Sequence, residues 1–151
     1  MLGIIACAQC REAGAREIIA VDINSERLAL AGRFGATQTM KAGEFDPSLL
    51  KADCTIDFSG NLASMGATVD ALRIGGTAVW VGGVCPQEPI RLDTEKIVRN
   101  LYTIKGLHNY NADDFRAAVS FMEKHHADYP ISNLYTMALR SIRLKKHSGM
   151  P

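Results

Sequence analysis

One acidic residue stands at a spacing typical of nucleotide binding. Asp22 follows the short β-branched segment at residues 17–21 and lies 19 positions after Gly3. Where a glycine turn opens a helix and an acidic residue follows about 20 positions later, the carboxylate accepts hydrogen bonds from the hydroxyls of an adenosine ribose. A carboxylate at this position also serves to cap the helix that follows. The spacing alone leaves both interpretations open.

Three further predicted strands end in glycine-containing turns. These strands cover residues 53–58, 77–81 and 101–104. In parallel sheets ligands bind at the carboxyl ends of the strands, and glycine lets them approach the backbone closely. Turn geometry without a ligand is the alternative explanation for these glycines. The residues at these ends are Ser59, Gly60, Val81, Gly82, Gly83, Leu107 and His108.

Strands and helices alternate along the chain, which predicts βαβ units, a parallel sheet and an α/β fold. The other predicted strands cover residues 17–21 and 36–40. The predicted helices cover residues 3–13, 25–34, 62–73, 94–99 and 112–126.

Composition narrows the classes of partner. The 151 residues are 47% hydrophobic and 22% charged, which is enough to form a core, and the net charge is +1. This balance provides no field that would attract nucleic acid or an anionic membrane, so neither partner is expected. Four cysteines are too few for a disulfide scaffold, which favours a reducing, cytoplasmic location.

The sequence predicts no metal site. Cys7 and Cys10 have a zinc-like spacing, but they lie on one predicted helix with no second pair nearby. A structural zinc ion needs four ligands. His125 and His126 are adjacent on a helix and therefore do not share a face.

A family resemblance rests on four segments, MLGIIACAQCREAGAREIIAVDINSERLALAGRFGATQ, DCTIDFSGN, GGTAVWVGG and TIKGLHNY. Together they resemble the cofactor-binding domain of the medium-chain dehydrogenase/reductase superfamily, which contains the zinc-dependent alcohol dehydrogenases. The resemblance covers about residues 1–135 and implies a Rossmann-like, doubly wound parallel sheet. Residues 136–151 are expected to form a basic, irregular tail.

The resemblance begins inside the glycine motif. Gly3 matches the third glycine of G-x-G-x-x-G, so the first two glycines and the strand before them would lie upstream of Met1. The resemblance therefore implies a domain that lacks its first, central strand and is truncated at both ends. A chain of this kind is expected to be marginally stable.

The same resemblance assigns cofactor-binding roles to eleven residues. Leu2 would pack against the nicotinamide, and Gly3 would lie near the pyrophosphate. Asp22 would bind the adenosine ribose and select NAD over NADP, and Arg27 would border the adenosine. The nicotinamide end would be formed by Ser59, Gly60, Val81, Gly82, Gly83, Leu107 and His108.

The implied function is that of a cofactor-binding fragment of an NAD-dependent, zinc-type alcohol dehydrogenase. The family's catalytic zinc ligands come from parts that this sequence does not contain, so zinc is expected only in a full-length relative. No catalytic residue is assigned, and the chain alone is expected to be inactive. Two alternatives remain open: a non-catalytic NAD-binding or dimerisation module, pairing as a homodimer through the edge strand near Leu101–Ile104, and a truncated product without function.

Overall fold

A computed structural model describes residues 1–137. The helices are α1 (Leu2–Glu12), α2 (Ser25–Arg33), α3 (Leu62–Asp70), α4 (Thr94–Arg99) and α5 (Ala112–His125), with a 3-10 turn at Pro47–Leu49. The strands are β1 (Ile19–Asp22), β2 (Gln38–Lys41), β3 (Ala52–Asp57), β4 (Leu72–Trp80) and β5 (Thr103–Gly106). The described residues form two compact units, one of Met1–Met40 with residues 110–137, the other of Lys41–Asn109.

The first unit packs its helices around Phe34. Gly14, at φ 85°, turns the chain after α1, close to the end of the helix predicted over residues 3–13. The Asn24 side chain caps α2 by accepting a hydrogen bond from the Arg27 backbone. Phe34 is fully buried and stacks on Tyr129, with ring centroids 5.6 Å apart. The other buried members of this core are Ile4, Cys7, Ala8, Ile18, Leu30, Ala31 and Leu134.

The second unit is built on a three-stranded sheet in the order β3-β4-β5. Both strand pairs are parallel, and α3 lies against β3 and β4. Its small core contains Val69, Leu72 and Ala78. A parallel sheet with helices confirms the predicted α/β class.

The boundary between α3 and β4 differs from the prediction. The helix predicted over residues 62–73 ends at Asp70, and Leu72 already begins β4. The pairing then shifts, because Leu72 lies opposite Ala52 whereas Thr77 lies opposite Cys54. Gly75 and Gly76, which lie between the predicted helix and the strand predicted at residues 77–81, are therefore part of an irregularity inside β4. An apolar residue such as Leu72 is expected to be buried both at the end of a helix and at the start of a strand. The spacing of apolar residues therefore did not distinguish the two.

The last strand also lies two residues later than predicted. It was expected at residues 101–104, whereas β5 covers Thr103–Gly106. Leu101 has φ 54°, a left-handed conformation that no strand residue adopts. Leu101 instead belongs to the turn that follows α4.

Strands β1 and β3 are the two that the resemblance places on either side of the family's central strand. Within residues 1–137, β1 pairs only with β2, and β3 pairs only with β4. Each is therefore an edge strand of its own sheet.

The described residues include only the first two positions of the tail predicted at residues 136–151. Residues 131–137, which include these two positions, are helical, and the other residues of the tail, 138–151, lie outside the described residues. In the described part of the chain, no helix has the length and apolarity that crossing a membrane requires.

Candidate functional site

The carboxyl ends of three parallel strands lie side by side in the second unit. Asp57 at the end of β3 is paired with Trp80 at the end of β4, and Trp80 with Gly106 at the end of β5. The turns after these strands therefore leave the sheet at one edge. The structure thus brings together the seven residues predicted there: Ser59, Gly60, Val81, Gly82, Gly83, Leu107 and His108.

An open cleft of about 390 Å³ lies at this edge. Of the predicted residues, Val81, Gly83, Leu107 and His108 line it. The remaining lining residues are Met65, Trp80 and Val84, which were not predicted to belong to the site, and Gly106, which was predicted only as the glycine of the turn after the last strand. Met65 lies within the helix predicted over residues 62–73, and it is buried.

Gly60 and Gly82 touch each other through their backbones, and this contact leaves no room for a side chain on either residue. A Cβ atom on Gly60 would overlap the carbonyl group of Gly82, and a Cβ atom on Gly82 would overlap the amide nitrogen of Gly60. Gly60 also has φ 68°. Close packing of two turns therefore accounts for both glycines without a ligand. Gly83 differs, since the first atom that its Cβ would meet is the end of the flexible Met65 side chain, 3.3 Å away.

A buried carboxylate organises these turns, and it is not among the residues predicted from the sequence. Asp57 is only 2% exposed. One of its oxygens accepts hydrogen bonds from the hydroxyls of Ser59 and Ser64, and the other from the Gly60 amide, all at 2.7 Å. The signal in the sequence was an acidic residue in a strand expected to be buried, followed closely by serines. Such a residue must find donors, because an unpaired buried charge is costly.

Asp22 ends β1 in the first unit and is paired with Arg27. The guanidinium donates from Nε to one carboxylate oxygen at 2.8 Å and from Nη2 to the other at 2.6 Å. The Asn24 amide adds a third hydrogen bond at 2.9 Å. An ionised carboxyl group has about four acceptor positions. These three hydrogen bonds leave the oxygen bonded to Nε the less occupied of the two, and the Ile23 backbone also hydrogen-bonds the carboxyl.

The surroundings of Asp22 keep it ionised. Partial burial by itself would raise the pKa of this carboxyl, but the hydrogen bonds from Arg27 and the Asn24 backbone outweigh it and hold the pKa below its ordinary value. The same pairing raises the pKa of Arg27. The site therefore presents a permanent ion pair at neutral pH.

Leu2 and Gly3 form the first turn of α1. Leu2 is exposed, and no side chain caps this helix end. Uncapped amide groups and the helix dipole favour an anion at such an end. Whether these two residues contact a cofactor stays a prediction.

Within residues 1–137, no cluster of three or more His, Cys, Asp or Glu side chains is placed to hold a metal ion. Cys7 is buried in α1, and burial with Cys10 beside it raises the pKa of the Cys7 thiol to about 11. A thiol with so high a pKa is a weak metal ligand and a weak nucleophile at neutral pH.

Curated relatives give the first comparison with known proteins. The chain is 29% identical over 115 residues to the L-threonine 3-dehydrogenase of Pectobacterium atrosepticum, covering 71% of this chain and 31% of that enzyme. It is 30% identical over 115 residues to an L-threonine 3-dehydrogenase of Streptomyces coelicolor, covering 71% and 33%. The chain thus spans about a third of the length of these relatives.

Solved structures and a family model give the second comparison with known proteins. An alcohol dehydrogenase zinc-binding domain protein from Burkholderia ambifaria is 32% identical with a TM-score of 0.66, covering 70% of this chain and 30% of that one. Benzyl alcohol dehydrogenase from Acinetobacter calcoaceticus is 25% identical with a TM-score of 0.78, covering 96% and 44%. A family model described as "Zinc-binding dehydrogenase" matches residues 2–124. Because that match spans most of the sequence, the chain belongs to the zinc-binding dehydrogenase family.

Proposed function

We propose that this chain is the NAD-binding part of a zinc-type alcohol dehydrogenase. The observation that carries the proposal is the alignment of three strand ends, Asp57, Trp80 and Gly106, beside an open cleft. Clefts at the carboxyl ends of parallel strands are where α/β sheets bind nucleotide cofactors. Family membership supports the same assignment.

The cleft of the second unit fits the nicotinamide end of the cofactor. Its polar backbone atoms come from the turns after the strands, and apolar surface comes from Met65, Trp80 and Leu107. A flat ring with a carboxamide needs both kinds of surface. The proposal assigns ring packing to these side chains and carboxamide hydrogen bonds to backbone groups of Val81 and Gly83. Ser59, Gly60, Gly82 and His108 border the same end, as the resemblance implies.

The adenosine ribose is assigned to Asp22 in the first unit, with Arg27 bordering the adenosine. The carboxylate oxygen bonded to Nε carries fewer of these hydrogen bonds than the other, and it is the oxygen that we assign to a ribose hydroxyl. A 2′-phosphate would meet an ionised carboxylate, and like charges placed together cost several kcal/mol. We therefore propose a preference for NAD over NADP. Gly3, at the uncapped start of α1, is assigned to the pyrophosphate, and Leu2 to packing beside the nicotinamide.

In the complete enzyme, NAD held by these residues would supply the hydride acceptor for the oxidation of an alcohol. The residues of this chain would bind and orient the cofactor. The zinc ligands are expected in the remainder of a full-length relative. The related enzymes are named for different alcohols, L-threonine and benzyl alcohol. The substrate is therefore assigned only as an alcohol, and the 151-residue chain alone is expected to show no turnover.

Titration of the chain with NADH and NADPH, by calorimetry and by nicotinamide fluorescence, tests the proposal. We expect NADH to bind at least about tenfold more tightly than NADPH, because Asp22 is negatively charged. Asp22→Gly should weaken NADH binding and reduce the preference. Asp53→Gly, which removes an exposed carboxylate elsewhere, is the matched control. Equal affinity for both cofactors contradicts the preference, and binding of neither contradicts the function.

A non-catalytic NAD-binding or dimerisation module is the second candidate. In the described part of the chain β5 is an edge strand, and Val98 and Leu101 next to it are exposed apolar side chains. We propose a homodimer through the edge near Leu101–Ile104 in the cytoplasm. Sedimentation of the chain at several concentrations tests the dimer, and turnover by the complete gene product separates the two candidates.

A further inference from the structure

We propose that Asp57 is a positioning residue that holds the turns after β3 and β4 in the arrangement required by the nicotinamide end of the cofactor. This inference rests on the proposed function. It concerns a buried carboxylate that would not touch the cofactor itself.

The side chain of Asp57 fixes the turn after its own strand. Its three hydrogen bonds come from Ser59, Gly60 and Ser64, which span the turn and the first part of α3. The Ser59 hydroxyl in turn accepts a hydrogen bond from the Asn61 amide at 3.1 Å. One carboxylate thus sets both the path of the turn and the start of the helix.

The backbone of Asp57 fixes the neighbouring turn. Its carbonyl oxygen accepts hydrogen bonds from the amides of Val81, at 2.9 Å, and Gly82, at 3.2 Å. The side chain and the main chain of one residue therefore hold both turns. Since the backbones of Gly60 and Gly82 touch, movement of either turn would disturb the other.

The cleft depends on this arrangement. Val81 and Gly83, which flank Gly82, both line it, and Met65 follows Ser64 directly in α3. Loss of the carboxylate would leave the Gly60 amide and two hydroxyls without their acceptor. The turns would then relax toward other partners and change the walls of the cleft. The first unit, with Asp22, contains none of these hydrogen bonds.

The experiment compares NADH with ADP-ribose, which contains the adenosine, both riboses and the pyrophosphate but no nicotinamide. Both are titrated calorimetrically against the 151-residue chain and its Asp57→Ala, Asp57→Asn and Ser64→Ala variants. Asp57→Asn is the conservative variant, since its oxygen can accept from the Gly60 amide while its nitrogen donates to the serine hydroxyls. Asp53→Asn, on an exposed part of the same strand, is the matched control.

For Asp57→Ala we expect the affinity for NADH to fall by a factor of about ten or more, because three charge-assisted hydrogen bonds are lost. The affinity for ADP-ribose should stay within about twofold of that of the unaltered chain. Asp57→Asn should restore most of the NADH affinity. Ser64→Ala should weaken NADH binding by a few fold and leave ADP-ribose binding unchanged. The control should bind both compounds as the unaltered chain does.

Three results would overturn the inference. NADH and ADP-ribose binding that fall in equal proportion would show a purely structural role. Unchanged NADH binding in Asp57→Ala would show no role in the cleft. If Asp57→Ala does not fold, Ser64→Ala provides the test. Ser64→Ala that binds NADH and ADP-ribose each with the affinity of the unaltered chain would then reject the proposal. Failure of the unaltered chain to bind either compound would instead contradict the proposed function, and the inference with it.

Discussion

The hydroxyl of Tyr129 donates a 2.5 Å hydrogen bond to the carboxylate of Glu12, joining residues 117 positions apart in the sequence. Tyr129 is buried against Phe34 in the core of the first unit. His125 lies next to the same carboxylate, with its Nδ1 3.6 Å from Glu12 and 3.0 Å from Asp128. Glu12, His125, Asp128 and the Tyr129 hydroxyl thus form a polar cluster, and Tyr129 joins it to the apolar core.

This hydrogen bond predicts that Tyr129 ionises at a higher pH than an ordinary tyrosine. Burial, followed by the contact with Glu12, raises the pKa of Tyr129 to about 12. The fold therefore favours the neutral phenol, and its contribution to stability is complete below the ordinary tyrosine pKa of about 10 and lost as the pH rises through 12. Ultraviolet titration should show one of the four tyrosines ionising near pH 12.

Two variants check this assignment. Tyr129→Phe should remove the step near pH 12 and lower the free energy of unfolding at pH 7 by about 1 kcal/mol, the usual net value of one hydrogen bond. Tyr135→Phe, at an exposed position, should leave the step in place. A titration curve that Tyr129→Phe does not alter contradicts the assignment.

The ion pair of Asp22 and Arg27 predicts a stability that depends on pH. The two side chains are 30% and 38% exposed, so solvent and salt screen the pair. We expect Asp22→Asn to lower the free energy of unfolding at pH 7 by about 0.5–1 kcal/mol, the upper part of the range for exposed pairs. Because the pKa of Asp22 is depressed in the folded chain, this difference is present above the ordinary aspartate pKa and disappears as the pH falls through the depressed one.

Urea unfolding between pH 7 and pH 2 measures that dependence. The free-energy difference between the unaltered chain and Asp22→Asn should fall toward zero at the acid end, and 0.5 M salt, a concentration at which the Debye length is about 4–5 Å, should reduce it at pH 7. A difference that is constant over the pH range would mean that the carboxylate acts through shape and not through charge.

Alternation of strands and helices was enough to predict the class of fold and the strand ends at the cleft. The positions of Gly60, Val81 and Gly83 followed from this alternation, because parallel strands end at one edge. The boundaries of β4 and β5 were less predictable. Leu72 satisfies helical spacing and is buried in a strand, and the left-handed conformation of Leu101 has no sequence signal at a leucine.

Asp57 was unpredictable for a different reason. Its role depends on three donors that only the folded turn and α3 bring within 2.7 Å. The ion pair at Asp22 is similar, since spacing predicted the carboxylate but not that Arg27 would occupy both of its oxygens. Contacts between side chains across turns are set by tertiary packing, and a linear pattern does not encode them directly.

The contact between Gly60 and Gly82 predicts an asymmetry among glycine substitutions. Gly82→Ala should destabilise the chain by about 2–3 kcal/mol, because the added carbon meets rigid backbone atoms. Gly66→Ala, inside α3 with open space around the glycine, is the control and should stabilise by about 0.5–1 kcal/mol. Thermal and urea unfolding measure both. If Gly82→Ala is tolerated as well as Gly66→Ala, the two turns are not packed as described.

Leu101 offers a site for stabilisation. It follows Asn100, the C-cap of α4, and its φ of 54° is a conformation that glycine adopts without strain and leucine does not. Its amide bonds the Val98 carbonyl, and the Tyr102 amide bonds the Ile97 carbonyl, so this conformation is tied to the helix end. The side chain is 72% exposed and contributes little to packing.

Leu101→Gly should therefore raise the free energy of unfolding by about 0.5–1 kcal/mol, through relief of the left-handed backbone. Leu101→Ala is the matched control: it removes the same exposed side chain but keeps the Cβ atom and its strain, and should change stability by less than about 0.5 kcal/mol. Urea unfolding at two protein concentrations keeps any effect on association apart from the effect on folding. Equal stability of the glycine and alanine variants would show that the turn after α4 carries no strain at this residue.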